Sequence, residues 1–228
     1  MKAPPADPLD RHAACYALVS LLLRYPEPGL IEEREAVLSA AVEIPAGAQR
    51  AAVDRFLAYW GSATPADLKR DYVATFDLQK GCGLYLSHYL FGDRRQRGMT
   101  FLRLKQMYEA AGWELTSREL PDYLPLMLEF AARAPAGYGE VVLQEFRASL
   151  ELLRLGLRAH ESPYVHLVDA VVAGLPGMTR AEQDAVRRLA AEGPPDEQVG
   201  LEPFAPPEIM PLPAGTSARP AREEVMRR

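Results

Sequence analysis

The chain has 228 residues, 48% of them apolar and 25% charged, a balance that suits a globular protein able to bury one substantial core. A net charge of −5 is the wrong sign for wholesale binding to nucleic acid phosphates, and mild acidity otherwise serves solubility. No apolar run is long or pure enough to span a bilayer. The opening MKAPPADPLDRHAAC lacks the layout of a signal peptide, so a cytoplasmic protein without direct membrane insertion is expected. Two cysteines, Cys15 and Cys82, without C-x-x-C spacing, give no disulfide framework and are expected as free thiols, at least one of them packed as a small hydrophobe.

Helical periodicity runs through almost the whole chain, and strand alternation is nearly absent. Ala13 to Leu23 is apolar nearly all round, the pattern of a central helix. Tyr25-Pro26-Glu27-Pro28-Gly29 breaks the chain. Val53, Phe56, Leu57 and Trp60 then fall at i, i+3, i+4 and i+7 on one helix face. Gly61-Ser62 ends that helix, and Thr64-Pro65 places a hydroxyl at an N-cap and a proline at the first helical position. Gly81-Cys82-Gly83 reads as a turn between Phe76 and Leu84 rather than a phosphate cradle, because neither dinucleotide nor P-loop spacing is present.

Phe101, Leu104, Tyr108 and Ala111 form the next stripe, ended by Gly112. After Pro135-Ala136-Gly137 comes a longer one, Val142, Phe146, Leu150, Leu153 and Leu157. Ser162-Pro163 repeats the cap-and-proline signal ahead of Tyr164, Leu167, Val168, Val171 and Val172. Thr179 and Glu182 have capping-box spacing. The sum is an all-α single helical bundle domain over residues 1–192, with about eight to ten helices, ending near Ala191. Residues 193–228 are rich in proline and glycine and have no apolar period. They are expected to be a disordered tail, with Phe204, Ile209 and Met210 as candidates for folding back or engaging a partner.

Catalytic chemistry is hard to find. His160 and His166 flank Pro163 and cannot share a helix face toward a metal, so no metal and no cofactor are expected. Cys82 and His88 form either a nucleophile–base pair or a loop thiol beside an ordinary helical histidine, and the second arrangement is the commoner. Two motifs remain. Asp93-Arg94-Arg95-Gln96-Arg97 opens a helix and is either a grip for carboxylates on another chain or a solvated helix start. Glu119-Leu120-Pro121-Asp122-Tyr123-Leu124-Pro125 reads as a tight helix entry. There Asp122 caps free N–H groups or meets a basic group on an incoming peptide, while Leu124, Met127, Leu128 and Ala131 turn inward. Dense aromatics and arginines from Asp71 to Phe130, without a reacting constellation, point to a protein that grips another polypeptide.

The segments YVATFDL (72–78), LYLSHYLFGDRRQRGM (84–99) and ELPDYLPLMLEF (119–130) together resemble the NarJ-type chaperones that assemble respiratory nitrate reductase, within the wider TorD-like group of redox-enzyme maturation proteins. The resemblance runs from about Cys15 to about Leu189. It implies a TorD-like helical fold and no catalytic activity. It further implies a partner, the unassembled catalytic subunit of nitrate reductase, held by its N-terminal peptide until the molybdenum cofactor is inserted. A sister chaperone for a dimethylsulfoxide-, selenate- or chlorate-type reductase is the neighbouring alternative, and a small-molecule enzyme using Cys82 and His88 the distant one. The family carries an acidic-proline-Asp-His signature linked to client recognition, which falls here on Pro121, Asp122 and Tyr123, with tyrosine in place of the histidine. The client-binding set expected from residues and resemblance together is Tyr72, Phe76, Tyr85, Tyr89, Arg94, Arg95, Arg97, Pro121, Asp122 and Tyr123.

Overall fold

The computed structural model describes residues 10–92, 95–115, 119–135 and 137–192. The expected tail, and Asp93 and Arg94 of the arginine run, lie outside the described residues. Within them the chain is all-α: twelve α-helices, more than the eight to ten expected, because several breaks separate very short helices. No strand is present among the described residues, only one isolated antiparallel bridge between Tyr85 and Tyr123.

Helix α1 (Asp10–Leu22) is the central element, as its all-round apolarity predicts. Cys15, Tyr16, Leu18, Val19 and Leu22 are buried, and it lies against α8 (Leu124–Arg133) and α11 (Val165–Ala173). Its buried serine, Ser20, is satisfied across the α1–α8 contact by donating to the Pro125 carbonyl at 2.6 Å. After two short helices, α2 (Pro28–Glu32) and α3 (Arg34–Ala40), and a 3₁₀ turn (Ala41–Glu43), helix α4 (Ala48–Ser62) buries the stripe Val53, Phe56, Leu57 and Trp60 and packs on α11. Each such side chain contributes roughly 1.5–3 kcal/mol by leaving water.

Helix α5 (Pro65–Tyr72) starts as its sequence dictates. Thr64 Oγ accepts from Asp67 N–H at 3.2 Å, and Pro65 sits where no N–H partner is needed. The helix runs into a π-helical turn (Val73–Asp77), closed by Leu78 N–H donating five residues back to Val73 at 3.1 Å. Such turns are rare and recur at functional sites. Helices α6 (Leu86–Phe91), α7 (Arg95–Ala110), α9 (Tyr138–Glu145), α10 (Arg147–Ala159) and α12 (Arg180–Glu192) complete the set.

Two local expectations need correction. The stripe from Val142 to Leu157 is buried throughout, yet two helices carry it: Phe146, with φ −97° and ψ 19°, breaks the backbone between α9 and α10 without leaving the core. Ser162 does not cap α11. Its hydroxyl bonds with Thr75 Oγ1 at 3.1 Å, tying the entry of α11 to the π-helical turn, and α11 begins at Val165. The capping box at α12 forms as expected, with Glu182 N–H on Thr179 Oγ1 and Thr179 N–H on Glu182 Oε2. Arg147, which carries no distinguishing sequence signal, is buried and donates to the Val172 and Pro176 carbonyls and to Glu151. Its guanidinium satisfies carbonyls at and beyond the end of α11, where a cation also suits the helix dipole.

Candidate functional site

The Tyr85–Tyr123 bridge organises the site. Leu86 N–H donates to the Asp122 carbonyl at 3.0 Å, and Leu124 N–H donates to the Leu84 carbonyl at 2.8 Å. Tyr85 and Tyr123 are therefore directly opposed, in the close non-hydrogen-bonded geometry that brings side chains together. Their rings lie 5.3 Å apart, tilted by 35°, and both are half-buried. Each tyrosine is also the extended residue that opens a helix, α6 for Tyr85 and α8 for Tyr123. Two helix starts are thus clamped to one another by two backbone hydrogen bonds.

Asp122 is fully buried and caps a helix other than the one its position suggests. Its carbonyl receives the first N–H of α6, and its Oδ2 receives the second, Ser87 N–H, at 3.1 Å and the Ser87 hydroxyl at 2.6 Å. The sequence-based placement of Asp122 as cap of α8 is therefore corrected. The physical reason is that α8 needs little capping: Leu124 N–H is taken by Leu84, and Pro125 has no N–H to satisfy. Arg97 completes the group from α7. Its Nε donates to Ser87 Oγ at 3.0 Å, and its Nη2 stands 3.7 Å from Asp122 Oδ2, with the guanidinium over the Phe101 ring. Pro121 is buried too, and its carbonyl accepts from the Tyr108 hydroxyl at 2.8 Å, which ties the entry to α7.

A second aromatic group adjoins the first. Tyr25, Tyr72 and Phe76 are in ring contact, with centroids 5.4 Å and 4.8 Å apart. Burial raises the Tyr123 phenol. Tyr85 is pushed up to about 12, chiefly by burial and then by its bond to Glu119 at 3.0 Å. These phenols are neutral donors, not bases.

Four of the ten expected residues thus meet around the bridge: Tyr85, Arg97, Asp122 and Tyr123, with Pro121 buried next to Asp122, whereas Phe76 is half-buried against Tyr72 and Tyr164. Tyr72 and Tyr89 do not form groove walls. They are 7% and 8% exposed, and their hydroxyls are spent on backbone carbonyls, of Leu23 for Tyr72 and of Gly81 and Gly83 for Tyr89. Arg95 is exposed at the first turn of α7, and Arg94 lies outside the described residues. Ser87, which bonds with both Asp122 and Arg97, is the neighbour that sequence reasoning missed; a lone serine in an apolar helix carries no signal.

The Cys82–His88 pairing finds no support. Cys82 is fully buried with its thiol pushed up by desolvation, whereas His88 is exposed. No cluster of three or more metal-ligating side chains occurs among the described residues, and no helix there is long and apolar enough to cross a membrane. A separate open groove of about 470 Å³ lies between α7 and α9, where Met107, Tyr138 and Val141 line an apolar trough.

This is an all-α domain that presents paired aromatics and a supported guanidinium beside two helix starts. The nitrate reductase delta subunit family model matches residues 42–169, from the 3₁₀ turn into α11, a span that contains Tyr85, Arg97, Asp122 and Tyr123. The chain belongs to that family. It is 34% identical over 160 residues to the probable nitrate reductase molybdenum cofactor assembly chaperone NarJ of Bacillus subtilis (strain 168), covering 70% of this chain and 87% of that protein. It is 32% identical over 158 residues to the nitrate reductase molybdenum cofactor assembly chaperone NarJ of Escherichia coli (strain K12), covering 68% of this chain and 66% of that one. A third relative, the probable chaperone NarW of the same strain, is 28% identical over 185 residues, covering 81% and 78%.

Proposed function

We propose that this chain is a dedicated cytoplasmic assembly chaperone, without catalytic activity or cofactor of its own. Its client is the unassembled catalytic subunit of a respiratory nitrate reductase. The chaperone keeps that subunit competent for insertion of the molybdenum cofactor and leaves before or as the complex docks on its membrane anchor. The observation that carries the reading is the match to two relatives named as molybdenum cofactor assembly chaperones for nitrate reductase, at 32% and 34% identity across most of the helical domain.

The client element in this reading is the N-terminal segment of the catalytic subunit, bound as an amphipathic helix. Its apolar face rests on Tyr85 and Tyr123 and extends to Phe76 and Tyr25. Paired half-exposed aromatics suit this use, since each ring offers a large apolar area with a polar tip. Arg94, Arg95 and Arg97 supply donors for client carbonyl and carboxylate groups. Pro121 and Asp122 support the site from below.

Affinity-tagged full-length protein, purified from cells respiring nitrate, tests the reading. The nitrate reductase catalytic subunit is the expected dominant partner, and its N-terminal peptide is expected to bind directly in calorimetric titration. A different molybdenum oxidoreductase in its place would make the chain a sister chaperone. Recovery of no molybdenum enzyme would refute the proposal.

A further inference from the structure

The site contains a carboxylate that no client can reach. Asp122 has no exposed surface, and the Tyr85–Tyr123 bridge lies immediately beside it. A charge so placed is either a purely structural cap or acts through a neighbour that does reach the surface. The hydrogen bonds give a direction. Arg97 Nε donates to Ser87 Oγ, and the Ser87 hydroxyl, having accepted that bond, donates to Asp122 Oδ2 at 2.6 Å. The guanidinium also faces the same carboxylate oxygen at 3.7 Å. Ser87 is fully buried, whereas the Arg97 side chain is 19% exposed, so Arg97 is the one member of the chain with an outer edge.

We propose that Asp122 and Ser87 are positioning residues for Arg97, and that Asp122 influences client binding through this guanidinium rather than by contact. The inference rests on the reading that a client peptide binds at the Tyr85–Tyr123 face. Hydroxyl and carboxylate face the guanidinium along its Nε–Nη2 edge, and the Phe101 ring supports its face. A free arginine would lose side-chain entropy on gripping a client; one already held has lost it on folding. The ligand chemistry that fits is an oxygen acceptor on the client segment, a main-chain carbonyl or a carboxylate.

A double-mutant cycle separates the two roles. Asp122→Asn keeps an oxygen for the Ser87 donors and removes the charge facing Arg97; Arg97→Met keeps an apolar stem and removes the guanidinium. Full-length variants are titrated with a synthetic peptide of the catalytic-subunit N-terminus, well below every melting temperature. The expected result is about a tenfold loss for each single variant and no further loss in the double. Ser87→Ala leaves the carboxylate in place and breaks the relay, so it repeats the cycle if Asp122→Asn folds poorly. In the wild type, the Arg97 Nε–H resonance should shift on adding peptide, which a merely structural cap would not produce.

Losses that multiply in the double variant would overturn the inference, since Asp122 would then act independently of Arg97. So would single variants that bind like wild type, and in both cases the proposed function stands. Failure of the wild type to bind the peptide removes the proposed function and this inference with it.

Discussion

Gly156, within α10, tests the packing that supports the site. A Cβ built there would lie 2.3 Å from the Gly81 carbonyl oxygen, 3.1 Å from its carbon and 3.4 Å from Cys82 Sγ. The same carbonyl accepts from Tyr89, and its loop leads through Leu84 into the bridge that holds Tyr85 against Tyr123. Relief of Gly156→Ala to an ordinary carbon–oxygen separation of about 3.4 Å requires backbone movement of about 1 Å, because no side-chain rotation can open the gap. Overpacking of this kind costs ~1–3 kcal/mol, and a backbone obstacle belongs at the upper end. Alanine recovers about 1 kcal/mol of helix propensity. The net loss is therefore about 2 kcal/mol, a fall in Tm of about 4–8 °C for a chain of this size. Gly98 in α7 is the control: it has nothing within 4 Å, so Gly98→Ala should gain up to about 1 kcal/mol. Thermal and urea unfolding of both variants reads the contrast, and peptide titration of Gly156→Ala should show weakened binding through the displaced loop. Equal stabilisation by both alanines would refute the close approach of α10 to the glycine loop.

Three other outcomes are expected. Tyr85→Ala should weaken peptide binding by ~1–2 kcal/mol in titration, while Val141→Asp, in the separate α7–α9 groove, should leave affinity unchanged; the reverse pattern would move the client to that groove. The Glu182 carboxyl is held below its ordinary value first by the Thr179 N–H and then by the Thr179 hydroxyl. Its folded pKa thus lies below the unfolded one, so its contribution is complete above the ordinary carboxylate value of about 4.3 and is lost as pH falls through the depressed value. Hydrogen-exchange protection of α12 should decline in that acidic window, and Glu182→Gln should flatten the dependence. Burial pushes the Cys15 thiol up to about 12 and raises that of Cys82. Both should therefore resist alkylation at pH 8 in the native protein and react readily once unfolded; rapid native labelling of Cys82 would contradict its packing.

The sequence alone determined the helical class, the central place of α1, the buried stripe of α4 and the starts of α5 and α12. These follow from short-range causes: side-chain periodicity, a proline that lacks an N–H, and a hydroxyl or carboxylate within three residues of the group it caps. The same reasoning placed Pro121, Asp122 and Tyr123 at a helix entry, while side-chain chemistry and the family resemblance together selected Tyr85 and Arg97 as candidates. Only the tertiary structure decided how they are used. Asp122 caps α6, whose bonded serine is 35 positions away in the chain. Ser162 serves Thr75, 87 positions away, instead of its own helix. Tyr72 and Tyr89 turn inward while Tyr85 and Tyr123 stay half-exposed, although all four are tyrosines near helix ends. A polar side chain beside a helix start meets several unpaired donors, and the local sequence does not rank them. Which donor it takes depends on which segments the packed core brings within about 3 Å, a distance set by the whole fold.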